Sequence, residues 1–92
     1  MDDTHDPHGY LALLRRLRFI ADECRAAGLF DSAEAVGRAM KFSSGSPSEF
    51  LYESVVAIRP LVGSAALPES IRRLCQELVR DIERGFQTVG GA

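Results

Sequence analysis

Residues 68–86 have the sequence PESIRRLCQELVRDIERGF, and this stretch carries the clearest structural signal in the chain. Its apolar residues recur at spacings of three and four, which is the pattern of one face of an α-helix. We therefore predict a helix over Pro68–Phe86, because proline is well tolerated where a helix begins. The residues expected to face the core are Ile71, Leu74, Cys75, Leu78, Val79, Ile82 and Phe86.

A first helix is predicted over Pro7–Ala27. Asp6 and Pro7 form a typical helix start, and Gly28 suits the left-handed conformation that often ends a helix. The expected inner face comprises Tyr10, Leu13, Leu14, Leu17, Ile20, Ala21 and Cys24.

A second helix is predicted over Ser32–Phe42. The sequence Asp31-Ser32-Ala33-Glu34 has the spacing of a capping box, in which the first side chain and the glutamate satisfy backbone N–H groups at the helix start. Only a few residues separate this helix from the first, so the two are expected to fold back as an antiparallel hairpin. The expected inward residues are Ala33, Val36 and Met40, and the expected outward residues are Glu34, Arg38 and Lys41.

A third helix is predicted over Pro47–Val62. Ser46-Pro47-Ser48-Glu49 supplies a cap, a proline at the first helical position and a glutamate three residues beyond the cap. Pro60 removes a backbone donor, so the helix either ends near Ile58 or continues to Val62 with a kink. The expected inner face is Phe50, Leu51, Val55, Ile58, Leu61 and Val62, widened on one flank by Tyr52 and Val56.

These four segments predict an all-α fold, a small up-and-down four-helix bundle. No segment shows the alternation typical of a strand, and 92 residues suit one domain. We expect a single helical domain over residues 7–87, an N-terminal tail over residues 1–6 and a C-terminal tail over residues 88–92.

Composition and charge exclude several classes of protein. The chain is 46% hydrophobic and 26% charged with a net charge of −2, which argues against disorder and against nucleic acid or an anionic membrane as the main partner. The acidic N-terminus does not resemble a secretory signal, and arginine soon interrupts each apolar run, so we expect no membrane association. Cys24 and Cys75 are expected to be reduced core thiols in a cytoplasmic protein.

Candidate catalytic and metal-binding groups are weakly supported. Asp2, Asp3, His5, Asp6 and His8 crowd together, but they precede the first helix, so no fold holds them as ligands. The serines between Ser43 and Ser48 lack the spacing of a phosphate-binding loop, and Cys24 has no histidine near it in sequence. We therefore expect no enzyme activity, no cofactor and no metal site.

A nucleic-acid site remains an alternative. Helices two and three have the short connection of a helix-turn-helix, but the third helix begins with Glu49 and Glu53 and has no base until Arg59. Helix one carries a basic cluster of Arg15, Arg16 and Arg18, followed by Asp22 and Glu23. The alternative function is thus a DNA-associated transcriptional regulator or adaptor that uses this cluster.

The predicted functional site is a protein-binding surface on helices one and three. At 100° per residue, Phe19 lies roughly 150° from the centre of the inner face of helix one, so it is expected on the outside. An exposed aromatic residue framed by charges is typical of an interface. The expected partner is a protein of unknown identity or a second copy in a homodimer, bound through Phe19, Arg15, Arg16, Glu23, Tyr52 and Val56.

The stretch from Lys41 to Leu51, KFSSGSPSEFL, resembles a set of short uncharacterised bacterial helical proteins. These proteins have a Ser/Thr-Gly-Ser/Thr-x-Ser/Thr-Glu cap, an apolar helix, a loop with proline and a final amphipathic helix. The resemblance spans about Lys41 to Phe86. Some of these proteins resemble immunity partners of secreted bacterial toxins, which implies a protein-binding role without catalysis.

Overall fold

A computed structural model describes residues 10–86, with side chains as far as residue 84. The described residues are all-helical and contain four α-helices, as the sequence predicts. The helices are α1 (Tyr10–Ala26), α2 (Phe30–Lys41), α3 (Pro47–Ile58) and α4 (Glu69–Phe86), with 3₁₀ segments at Phe42–Ser44 and Arg59–Gly63.

Several predictions fall outside the described residues. They are the tails at residues 1–6 and 88–92, the helix start at Asp6 and Pro7, and the inward side chain of Phe86. Within the described ranges, no helix is both long enough and apolar enough to cross a membrane.

The turn between α1 and α2 is closed by backbone hydrogen bonds. Gly28 has a φ of 81°, the left-handed conformation expected of it. The N–H of Gly28 donates to the carbonyl of Arg25 at 3.0 Å, and the N–H of Leu29 donates to the carbonyl of Cys24 at 2.7 Å. These two bonds form a Schellman motif, which satisfies carbonyls at the end of α1 and sends the chain back along it.

The predicted start of the second helix is wrong. The structure begins α2 at Phe30, and Leu29 occupies the cap position without a side-chain hydrogen bond to the helix. The carbonyl of Leu29 already accepts the N–H of Ala33 at 3.0 Å, so Asp31 and Ser32 lie in the first helical turn and cannot cap it. The Schellman turn fixes Leu29 where the helix can begin at once, before the capping-box sequence is reached.

The predicted cap of the third helix is confirmed. The Ser46 side chain accepts the N–H of Glu49 at 3.4 Å, and Pro47 occupies the first turn. Of the two outcomes expected at Pro60, the α-helix ends at Ile58 and the chain tightens into the 3₁₀ segment Arg59–Gly63. A 3₁₀ turn accommodates the missing N–H of proline more easily than an α-helix interior does.

The fourth helix starts one residue later than predicted, at Glu69. The carbonyl of Pro68 accepts N–H groups from Ile71 and Arg72 at 3.0 and 3.1 Å. Pro68 therefore precedes the helix, and its fixed φ still directs the chain into it.

All four helices contribute to one cluster of buried residues. Consecutive helices pack on one another, α1 makes a smaller contact with α4, and the segment Arg59–Gly63 packs on α4. The rings of Tyr10 and Phe50 meet edge to face at 4.7 Å between their centroids, joining the start of α1 to α3. The cluster comprises Leu17, Ile20, Ala21, Cys24, Ala33, Val36, Ala39, Phe50, Val55, Ala57, Ile58, Leu61, Leu67, Ile71, Cys75, Leu78, Val79 and Ile82.

The inner faces differ from prediction at their edges. Met40, Leu51 and Leu74 are half-buried, as are Leu13, Leu14 and Val62, whereas Ala39 and Ala57 are buried. Ser54 is fully buried because its hydroxyl donates to the Phe50 carbonyl at 2.8 Å, a local bond that removes the cost of burying it.

Candidate functional site

The outer face of α1 presents Phe19 to solvent. Phe19 is 47% exposed, whereas Leu17 and Ile20 beside it are fully buried. The predicted helical register is therefore confirmed. Arg15 and Arg16 are exposed next to it, and Glu23 is half-exposed.

The arginines around Phe19 have no acidic partner among the described residues. Arg15, Arg16 and Arg18 are all exposed, and none of them forms an ion pair with another residue in the range 10–86. Four other arginines form ion pairs: Arg25 with Asp22, Arg38 with Glu34, Arg59 with Glu83 and Arg73 with Glu69. We call Phe19 and its three unpaired arginines the α1 patch.

Tyr52 and Val56 lie one turn apart on α3 and are 60% and 49% exposed. The prediction that they widen the inner face of α3 is wrong, because the buried residues of α3 centre on the opposite side of the helix. Phe19 lies on a different helix, α1, which packs mainly on α2, whereas α3 packs mainly on α2 and α4.

A groove between α2 and α3 runs beside Val56. Its volume is about 430 Å³, within the range of cavities that hold a small ligand or a side chain. We call it the α2–α3 groove. Its apolar lining consists of Ala35, Ala39, Phe42, Val56, Ala57 and Pro60.

The charged rim of this groove is mainly acidic. Asp31 and Glu53 line it and form no ion pair with another described residue. Arg38 also lines it, but its guanidinium lies 3.8 Å from Glu34 on the same helix. The sequence analysis missed the α2 half of the groove, since alanine spacing alone does not reveal which neighbour a helix packs against.

The two cysteines lie in the core, as expected. Both are free and fully buried. Burial raises the pKa of Cys24, and the opposing effect of Arg25 is smaller. Burial, with a smaller contribution from Cys24, raises the pKa of Cys75 to about 11. Both thiols are therefore protonated at neutral pH, which is the unreactive form.

The described residues hold no cluster of three or more side chains suited to bind a metal ion. The histidine and aspartate set at Asp2–His8 lies outside the described residues. No protein-family model, curated protein or solved structure matches the chain. The candidate functional surfaces of the described residues are the α1 patch and the α2–α3 groove.

Proposed function

We propose that this chain is a small non-catalytic protein-binding module and that the α1 patch is the centre of its binding surface. The observation that carries the proposal is the exposure of Phe19 among three arginines that have no partner within the described fold. An aromatic residue and arginine are the side chains most enriched at energetically dominant interface positions.

The energetics of the patch favour a partner. Burying a phenylalanine ring lowers the free energy more than burying most other side chains does, because an aromatic residue buries ~150–250 Å². The exposed arginines contribute little to folding, since they gain no ion pair within the described residues. A partner that covers Phe19 would bury its ring, and carboxylates on that partner would form ion pairs with the arginines.

The state of the cysteines supports the non-catalytic part of the proposal. Each is a buried thiol with a raised pKa, whereas a catalytic thiol needs a lowered pKa and access to substrate. Free thiols also fit a reducing compartment, so we place the protein in the cytoplasm.

The bundle topology and the immunity-type role are also part of this proposal. Short connections and the packing of consecutive helices support an up-and-down four-helix bundle. The resemblance over Lys41–Phe86 supports a bacterial protein of the immunity type, which acts by occupying a partner. The function would then be inhibition or sequestration through the α1 patch.

A DNA-associated regulator is the second candidate, and the unpaired arginines favour it. Phosphate groups would satisfy Arg15, Arg16 and Arg18, and binding would weaken steeply with salt. Phe19 and the nearby Asp22 and Glu23 oppose this function, because the acids repel phosphate. The protein-binding function accounts for both the ring and the charges.

Site-specific photocrosslinking tests the proposal. A photoreactive phenylalanine analogue replaces Phe19 in cells that produce the protein, and a matched variant carries it at Arg80, exposed on α4. We expect adducts from position 19 that resist nuclease and are removed by protease, and far fewer from position 80. Nuclease-sensitive adducts would favour the DNA-associated function, and equal labelling at both positions would contradict a specific surface.

A further inference from the structure

We infer that the α2–α3 groove receives Phe19 from a second copy of this chain. This inference rests on the proposed function of the α1 patch and names its partner. The contact is heterologous: the α1 patch of one copy lies on the groove of the next.

The groove fits an aromatic side chain. The small side chains of Ala35, Ala39 and Ala57 line the space between α2 and α3, and its volume is about 430 Å³. Val56, on its edge, is 49% exposed. A phenylalanine bound there would cover Val56 and Pro60 and would lose its own contact with water. Both surfaces would then bury apolar area, which favours association.

The charges of the two surfaces are complementary. The α1 patch carries three arginines without described acidic partners, and the groove rim carries Asp31 and Glu53, which have no described basic partners. When Phe19 enters the groove, its neighbouring arginines approach this rim. Opposite charges around an apolar centre orient the two copies and favour their encounter.

Phe19 does not enter the groove of its own chain in this structure. It is 47% exposed on α1 and is not among the residues that line the groove. The ring that enters the groove is therefore that of another copy. Each copy has one patch and one groove, so the assembly is either a closed ring or a chain of copies.

A mixing experiment tests this arrangement. Phe19→Ser removes the ring but keeps the groove, and Val56→Arg places a like charge at the groove but keeps the α1 patch. Sedimentation from about 1 µM to about 1 mM should show association of the wild type and an association at least ~30-fold weaker for each variant alone. The two variants mixed in equal amounts should form a 1:1 dimer, because one intact patch meets one intact groove.

Other outcomes overturn the inference. A wild type that stays monomeric throughout this range would exclude a second copy, yet protein adducts at position 19 would still support the proposed function. Loss of association in Phe19→Ser together with undiminished association of Val56→Arg alone would show a symmetric contact between two α1 patches. Association unaffected by Phe19→Ser would remove the patch from the contact.

One control variant and one further groove variant complete the experiment. Arg80→Glu changes the charge of the exposed face of α4 and should associate like the wild type. Glu53→Arg tests the groove with a residue that makes no described ion pair, and circular dichroism shows whether each variant is folded. Because Arg80→Glu and Glu53→Arg change the net charge in opposite directions, an equal loss of association in both would show that the loss does not depend on the groove and would contradict the groove assignment.

Discussion

Helices α1 and α4 are similar in length and inner face but differ in what they present outward. They have 17 and 18 residues, and each buries a cysteine with aliphatic neighbours. On α4, Arg73 pairs with Glu69 at 2.9 Å, Glu83 pairs with Arg59, and no large apolar side chain between residues 69 and 84 is exposed. On α1, Phe19 is exposed and Arg15, Arg16 and Arg18 have no ion pair within the described residues.

In the proposed function, this difference separates a helix that contributes only to the fold from one that also binds a partner. Both helices gain their stability from the inner face, since burial of apolar area dominates the free energy of folding. Three charged side chains of α4, those of Glu69, Arg73 and Glu83, form ion pairs within the fold. On α1, Phe19 is exposed beside three arginines that form no ion pair within the described residues, which is the basis of the proposed binding surface.

The largest of three graded effects concerns the buried thiols on the two inner faces. The pKa of Cys75 rises from an ordinary 9.0 to about 11 on folding, so the unfolded chain loses this proton at lower pH than the folded protein does. The stabilisation is complete below pH 9 and is lost between pH 9 and pH 11, by roughly 2–3 kcal/mol.

Urea unfolding at pH 8 and pH 11 measures this loss. Cys75→Ala should remove this part of the pH dependence, and Cys24→Ala, its counterpart on α1, should remove less. Equal alkaline sensitivity in the wild type and Cys75→Ala would show that Cys75 is not the buried thiol that the structure describes.

A smaller effect tests how closely α1 is packed on α2. Gly37 lies within α2 and lines a shallow groove with Arg18 and Met40, and a β-carbon added there would meet no atom within 4 Å. Gly37→Ala should stabilise the protein by about 0.5–1 kcal/mol, because alanine restricts the unfolded chain and favours a helix. Thermal unfolding measures the change. If Gly37→Ala is instead less stable than the wild type, the added methyl group meets α1, and α1 lies closer to α2 than the structure describes.

The smallest effect compares the charges of the two outer faces. Arg73→Gln should cost about 0.3–0.5 kcal/mol, since it removes the ion pair with Glu69 one turn away. Arg16→Gln should leave the free energy of unfolding unchanged, because Arg16 has no described partner. Unfolding curves at low and high salt measure both, and a cost at Arg16 equal to that at Arg73 would remove the contrast.

The helices are predicted from the sequence better than the groove between α2 and α3. Gly28 and the Ser46-Pro47 start are local signals, fixed by φ and by one side-chain hydrogen bond, and both predictions hold. The capping box at Asp31 fails because the preceding turn, held by bonds to Cys24 and Arg25, starts α2 earlier. Helix periodicity also places Phe19 outside the core correctly.

The α2–α3 groove depends on which helices become neighbours. Ala35, Ala39 and Ala57 look like ordinary helix formers in sequence, and their space appears only when two helices are side by side. Tyr52 and Val56 are predicted at the edge of the inner face of α3, but at 100° per residue they lie roughly opposite the buried residues, and both are exposed. Periodicity gives the direction of a side chain from its helix axis but not the distance to the next helix.

Thermal unfolding of Phe19→Ser beside Leu17→Ser tests the central claim most directly. The two residues are neighbours on α1, but Phe19 is 47% exposed and Leu17 is fully buried. Leu17→Ser should lose at least ~3 kcal/mol, or more than ~12 °C in melting temperature, through a cavity and a buried hydroxyl. Phe19→Ser, measured at a concentration where the chain is monomeric, should melt within ~4 °C of the wild type. A loss at Phe19 as large as that at Leu17 would show that Phe19 belongs to the core and would contradict the α1 patch.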